Sequence, residues 1–265
     1  MVESGTTQTG LYWQTLETKT SQSDLVLIHG WGMNGAVWQQ SAEILSQHYR
    51  VHIVDLPGFG HSHQHSFANL EHLAQQVLAH APDKATWLGW SLGGLIASHI
   101  ALHHPERVNG LITVASSPCF AAQKPWRGIQ PQVLKAFTSQ LVEDFQLTIE
   151  RFMALQAMGS PSARQDVKIL KKAVLSRPTP NQDALLAGLN LLADVDLRQQ
   201  LNLVAAPTLR LYGRLDGLVP IKVADDVNTL MPASTQHIFQ NSSHAPFMTE
   251  LEGFCQQVIE FRNKH

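Results

Sequence analysis

The stretch Trp87-Leu88-Gly89-Trp90-Ser91-Leu92-Gly93-Gly94 limits what this chain can fold into more than any other. It holds the pattern G-x-S-x-G between an apolar, strand-like run at 85–88 and an apolar, helix-like run at 95–102. A serine on a sharp strand-to-helix turn is lifted clear of the sheet edge on strained backbone, and only small neighbours fit around it. Gly89 and Gly93 supply that room. The following helix points its positive N-terminal end at the serine and favours negative charge developing there. The spacing alone arises by chance at glycine turns. In strand–turn–helix context it makes Ser91 a candidate nucleophile.

Around this turn, strand-like runs at 11–16, 25–28, 51–54, 108–114, 208–212 and 235–239 alternate with helical spacing at 36–46, 67–78, 221–230 and 254–261. The run 25–28 is continuously apolar, as in a strand buried on both faces of a parallel sheet. The alternation predicts an α/β fold: a mostly parallel central sheet flanked by helices. The rhythm breaks over 120–200, where helical patterns at 131–147, 149–158, 162–175 and 183–192 are separated by bends at Gly159-Ser160-Pro161 and Arg177-Pro178-Thr179-Pro180. Residues 1–119 and 201–265 are therefore expected to form the core. Residues 120–200 are expected to be a helical cap inserted over the C-terminal sheet edge, where open α/β folds bind ligands.

Composition removes several alternatives. No apolar run approaches the ~18 residues of a membrane span, and the polar start, residues 1–8, lacks the order of a signal peptide. A cytoplasmic protein, not bound to membrane, is expected. The net charge of -2 offers no basic excess for nucleic acid. Cys119 and Cys255 have no metal-ligand spacing and are expected to be buried and unpaired. His61, His63 and His65 alternate in a polar loop without nearby carboxylates, which predicts a solvated loop rather than a metal site. We expect no metal or cofactor, and a monomer.

A nucleophilic serine needs a base, and the base an orienting acid, in the chain order Ser, Asp or Glu, His on an elbow of this type. Asp216 lies just past the strand-like run 208–212, and His244 just past 235–239. These positions predict a triad of Ser91, Asp216 and His244. Among the 14 histidines, His29 comes too early for that order and is expected to support its turn, while His103 and His104 end the elbow helix. Asp194 and Asp196 fall in the return from the cap. The oxyanion formed in acyl transfer needs two donors. The backbone N–H of Leu92 is one, and that of Trp31 in His29-Gly30-Trp31-Gly32 is the second candidate. The Trp31 ring could pack in the core or wall a substrate pocket.

With these motifs in place, the chain resembles the α/β-hydrolases, and more narrowly the pimeloyl-[acyl-carrier protein] methyl ester esterases of biotin synthesis. The likeness spans nearly the whole sequence. It is densest in His29-Gly30-Trp31-Gly32, Asp55-Leu56-Pro57-Gly58-Phe59-Gly60, the elbow, Ala115-Ser116-Ser117-Pro118-Cys119-Phe120, Leu155-Gln156-Ala157-Met158-Gly159, Arg164-Gln165-Asp166, and 211–220. The resemblance implies removal of the methyl group from a carrier-borne pimeloyl ester, releasing methanol, with tolerance of small esters. It also implies that Phe152, Met153, Ala154, Leu155 and Gln156 line the acyl channel with Trp31, Ser91, Leu92 and His244; plain cap-to-core packing is the alternative for that segment.

Charge adds an independent strand. Residues 120–200 carry ten Lys and Arg against seven Asp and Glu, whereas the remainder carries nine against fourteen. The insertion is thus the basic part of an acidic chain. On a helix from 162, Arg164, Lys168 and Lys171 form one stripe and Ala163, Val167, Leu170 and Val174 an apolar one. A solvated face explains the stripe on charge alone. The resemblance implies instead that Arg151, Arg164 and Lys168 dock the acidic carrier protein. Lys168 stands where an arginine is expected and Leu147 where a fourth could be, so bidentate phosphate contacts are fewer. Two rivals remain open: a carbon–carbon bond hydrolase of the same fold, and a non-catalytic binding protein. Dehalogenases and epoxide hydrolases use an aspartate nucleophile, which Ser91 excludes.

Overall fold

Strands β1 (Trp13–Leu16), β2 (Asp24–Ile28), β3 (Arg50–Val54), β4 (Ala85–Trp90), β5 (Val108–Val114), β6 (Thr208–Gly213) and β7 (Thr235–Phe239) form one sheet ordered β1-β3-β2-β4-β5-β6-β7. Only β1 is antiparallel, to β3. This computed structural model describes residues 10–18 and 23–265; the polar start at 1–8 lies outside the described residues. Every residue of β2, β4 and β6 is buried, as covering by helices on both faces requires. Among the described residues, no helix is long and apolar enough to cross a membrane.

Helices α1 (Gln39–Leu45), α2 (Leu70–Leu78) and α3 (Leu92–His103) precede β5. Helices α4 (Pro131–Glu143), α5 (Phe145–Ala157), α6 (Ala163–Leu175) and α7 (Gln182–Asp194) are inserted between β5 and β6. Then come α8 (Lys222–Leu230), α9 (Pro246–Thr249) and α10 (Leu251–Lys264). The break expected near 148 falls at Asp144 instead. That residue is extended, at φ -150 and ψ 93, and its carboxylate accepts from Leu147 N at 3.0 Å, an aspartate N-cap that the apolar spacing obscured. Other boundaries also move. The helix expected from 67 starts at Leu70, behind the Asn69 cap. A 3-10 turn, Gly35–Trp38, leads into α1. The elbow helix begins at Leu92, not 95, and the last helix runs beyond 254–261 at both ends.

The insertion is pinned to the core at named points. An isolated bridge between Cys119 and Asp196 joins its two ends. Asn34 Nδ2 donates to the Ala173 and Val174 carbonyls at 3.3 Å, and Asn181 N to Gly58 O at 2.8 Å. Arg177, between α6 and α7, pairs at 2.5 Å with Asp55, which is fully buried at the end of β3. The Asp55 carboxylate also accepts from Gly35 N and His61 N, both at 2.7 Å, so two core loops and the insertion share one anion. Both cysteines are buried and free, as the sequence suggests, and burial pushes the Cys255 thiol up to about 12.

Candidate active site

The parallel registers place the chemistry. Ile28 pairs with Gly89, Trp90 with Val114, Val114 with Leu211, and Gly213 with Phe239. The loops holding His29, Ser91, Asp216 and His244 therefore leave one sheet edge, at the carboxyl ends of neighbouring strands.

Ser91 sits at φ 55 and ψ -118, a left-handed conformation that costs a non-glycine residue ~1–3 kcal/mol. The surroundings enforce it. Ser91 N donates to Val114 O at 2.9 Å, and the Ser91 carbonyl accepts from Gly94 N at 2.9 Å and from Ser116 Oγ at 2.8 Å. A Cβ on Gly89 would lie 2.0 Å from Gly93 O, and one on Gly93 would lie 2.4 Å from Ile28 O. The elbow is thus closed around two residues that cannot carry side chains. The Ser116 brace was not singled out from the sequence, since a serine after a strand has no spacing signature of its own.

Asp216 and His244 come together. Asp216 Oδ1 accepts from Leu218 N at 2.8 Å and Val219 N at 3.0 Å, and Oδ2 lies 2.7 Å from His244 Nδ1. The two amides fix the carboxylate, and the carboxylate fixes the ring. His244 is held further by its N–H on Gln156 O at 3.1 Å and by Trp90 Nε1, which donates to its carbonyl at 2.7 Å. The remaining ring nitrogen, Nε2, is buried and makes no hydrogen bond, to Ser91 or otherwise. Serine–histidine contacts of this kind are often long in unliganded proteins and shorten when substrate binds. Ser91 is 2% exposed and His244 0%, so the site is covered. Asp194 ends α7 and Asp196 pairs with Arg198 at 2.6 Å; neither reaches the imidazole as a hydrogen-bond partner.

Of the two expected oxyanion donors, Leu92 directly follows the serine, and Trp31 follows Gly30, where a Cβ would lie 3.2 Å from Ser91 Cβ. Leu92 is the first residue of α3, whose N–H has no acceptor within its own helix. Trp31 follows β2, inside a turn closed by Met33 N on Gly30 O at 3.3 Å. Its indole is fully buried and ties that turn to the insertion: Nε1 donates to Leu185 O of α7 at 2.8 Å, and the ring meets Phe152 of α5 edge-on at 4.7 Å. Gly188 of α7 makes this possible, because a Cβ there would lie 2.6 Å from Trp31 Cδ1. A glycine inside a helical pattern is the signal that could have marked this contact. Gly188→Ala should gain about 1 kcal/mol of helix propensity. Against that stands ~1–3 kcal/mol of overpacking, since the indole is fixed on both sides. We expect a lower melting temperature and lower kcat/KM; a variant that melts above the parent protein would show that α7 slides freely off the indole.

His29 supports its turn, as expected, and does more. Its Nδ1 donates to Gly30 O at 2.8 Å, and its Nε2 accepts from Leu56 N at 3.0 Å, tying the turn after β2 to the loop after β3. Burial pushes its pKa down to about 4 from 6.5. The unfolded chain then binds this proton near pH 6.5 and the folded protein only near 4. Stability is therefore whole above that window and falls as pH drops through it, by up to ~3 kcal/mol. Melting temperatures between pH 7 and 4 should show the fall, and His29→Asn should flatten it.

The segment 152–156 does not present a single face. Phe152, Met153 and Gln156 are buried, Leu155 is half-buried, and Ala154 is exposed. Five consecutive helical residues sweep more than a full turn, so they cannot all face one channel. Gln156 stands out, because its side chain is fully buried and neither Oε1 nor Nε2 has a partner. Leaving such an amide unpaired costs ~1–3 kcal/mol. Met153 also lines a cleft of about 360 Å3 between α5 and α6, with Ile149, Val174 and Lys171. On the outer surface, Arg151, Arg164, Lys168 and Lys171 are exposed, and Lys171 pairs with Glu150 at 2.6 Å. On the inner side of α6, Leu170 and Val174 are buried and Ala163 and Val167 half-buried. His61 is exposed, and His63 and His65 are half-buried.

Comparison with known proteins agrees with this geometry. Residues 25–251 match the family model of the alpha/beta hydrolase fold. A protein of Vibrio cholerae named pimeloyl-[acyl-carrier protein] methyl ester esterase is 67% identical over 254 residues, covering 96% of this chain and 98% of the relative. A protein of the same name from Aliivibrio fischeri is 60% identical, covering 97% and 99%. Among solved structures, an esterase from Exiguobacterium antarcticum superposes with a TM-score of 0.81 at 22% identity, covering 95% and 94%. An enol-lactonase from Burkholderia xenovorans superposes at 0.82 and 16%, covering 96% of each chain. These two show the fold alone. With the elbow, the Asp216–His244 pair and relatives at this identity over nearly the full length, the chain belongs to the α/β-hydrolase fold family and, within it, to the pimeloyl-[acyl-carrier protein] methyl ester esterases.

Proposed function

We propose that this enzyme hydrolyses the methyl ester of a pimeloyl group carried on acyl carrier protein, the reaction its relatives are named for, with side activity on short esters. The observation that carries the reading is the buried Asp216–His244 pair, whose free Nε2 shares one sheet edge with Ser91 on its strained turn. His244 Nε2 takes the Ser91 proton as Oγ attacks the ester carbonyl, and Asp216 holds the Nδ1–H tautomer. The N–H groups of Trp31 and Leu92 stabilise the oxyanion. Protonated His244 gives that proton to the methoxide oxygen as its bond to the carbonyl carbon breaks, methanol leaves, and water hydrolyses the acyl-enzyme by the same route. Nucleophile, base and acid all come from the chain, so the reading calls for no metal or cofactor. It describes a cytoplasmic monomer.

In this reading residues 120–200 form the cap. Phe152, Met153, Leu155 and Gln156 line the acyl path, the unpaired Gln156 amide facing a polar part of the substrate, while Ala154 sits on its outer side. Arg151, Arg164 and Lys168 receive the acidic carrier. The test is hydrolysis of the carrier-bound pimeloyl methyl ester against the same ester free in solution, at low and moderate salt. We expect a strong preference for the carrier-bound ester that weakens with salt, and that Arg151→Glu reduces without changing turnover of the free ester. Equal rates on both substrates would leave a broad carboxylesterase with a solvated basic face.

A further inference from the structure

A cavity of about 20 Å3 lies below the elbow between β5, β6, α3 and α8, lined in part by Ser98, Thr113, Ser116, Arg210 and Tyr212. Arg210 and Tyr212 lie two residues apart on β6 and so project from the same face. Arg210 is 2% exposed. Its Nε donates to Ser234 Oγ at 2.9 Å, its Nη1 to Tyr212 Oη at 3.2 Å and to Ala224 O at 3.1 Å, and its Nη2 to Asn228 Oδ1. All four partners are neutral. Among the described residues, Arg50, Arg127, Lys171, Arg177 and Arg198 each have a carboxylate oxygen within 4.0 Å, and the buried Arg210 does not.

A guanidinium carries five N–H groups, so one on Nη2 stays available. Tyr212 Oη accepts from Nη1, which leaves its own O–H free to donate. Two unused donors and a full positive charge therefore belong to residues that line a space fitting one particle of about water size. Neutral dipoles do not cancel a buried charge, whose burial costs several kcal/mol, whereas a monovalent anion beside it does. We propose that this cavity binds a single halide-sized anion, chloride in ordinary buffers, held by the Arg210 guanidinium and the Tyr212 hydroxyl. Ser116 Oγ and Ser98 Oγ, on the same cavity wall, donate at 2.8 Å to the carbonyls of Ser91 and Gly94. The anion thus stiffens the floor of the elbow without touching the reacting atoms.

Thermal melting in sodium chloride against sodium gluconate, at equal ionic strength, tests this. The expected result is a saturable, chloride-specific rise in Tm of about 3 °C. Tyr212→Phe, which keeps the ring and its packing, should raise the half-saturating chloride concentration about tenfold. Arg210→Met should abolish the response. Crystals soaked in bromide should show an anomalous peak between the two side chains. Equal melting in both salts, an undiminished chloride response in Tyr212→Phe, or a bromide soak without that peak would overturn the proposal and leave an ordered water in the cavity.

Discussion

Replacing Ser91 by alanine is expected to lower kcat by about a millionfold and leave the melting temperature essentially unchanged. The elbow is held by backbone bonds to Val114 O, from Gly94 N and from Ser116 Oγ, and alanine keeps all three. Its Cβ meets the same φ of 55 that serine already tolerates. Ser91→Gly makes a sharper companion. It should be equally inactive yet more stable, because glycine relieves the left-handed strain while every bond around the turn survives. Turnover assays with a reactive serine probe, beside thermal melts, check both variants. Residual turnover near that of the parent enzyme in either would remove Ser91 from the mechanism.

The second large effect is expected far from the reacting atoms. Arg177→Met should cost about 3–5 kcal/mol, a fall in melting temperature of about 10 °C. It strands the Asp55 carboxylate, fully buried, with only the Gly35 and His61 amides for company. The Asp55→Asn, Arg177→Met double variant should recover part of that loss, since it removes the uncompensated charge as well as the attraction. The single variant should also become more susceptible to proteolysis between α6 and α7, where Arg177 and Asn181 hold the insertion to the core. If the double variant proved no more stable than Arg177→Met, the pair would be acting through packing and not through its charges.

The features legible in the sequence were those with a local cause. The elbow could be read because G-x-S-x-G was flanked by the right apolar periods, and the alternation of strands and helices was visible because buried parallel strands are uninterrupted apolar runs. Asp216 and His244 were placed by their positions after strands, and the structure brings them together at 2.7 Å. The exposed stripe of Arg164 and Lys168 also followed from helical spacing. What stayed hidden depends on partners distant in sequence. The anion at Asp55 reads as an ordinary loop aspartate until Arg177, 122 residues later, is folded against it. Gly188 reads as a weak point in a helix until Trp31 lies on it. The unpaired amide of Gln156 and the neutral cage around Arg210 leave no pattern at all, because burial without a partner is a property of the packed molecule. The break at Asp144 was missed for the opposite reason: a local cap signal was present, and the apolar spacing on both sides masked it.

On the proposed reading of residues 120–200 as a cap, Trp31 gives it a bearing on when the enzyme reacts. In the proposed mechanism one residue lends its amide to the oxyanion, and its indole lies in the seam where α5 and α7 rest. A cap that lifts must let go of that indole, and the turn carrying the amide then loses the contact that sets its position. Readiness to react is in this way tied to being covered. An enzyme caught open would be a poor hydrolase, so stray esters and water that wander in would meet a disarmed site. The full rate would then be kept for a substrate long enough to stay in place under a closed cap.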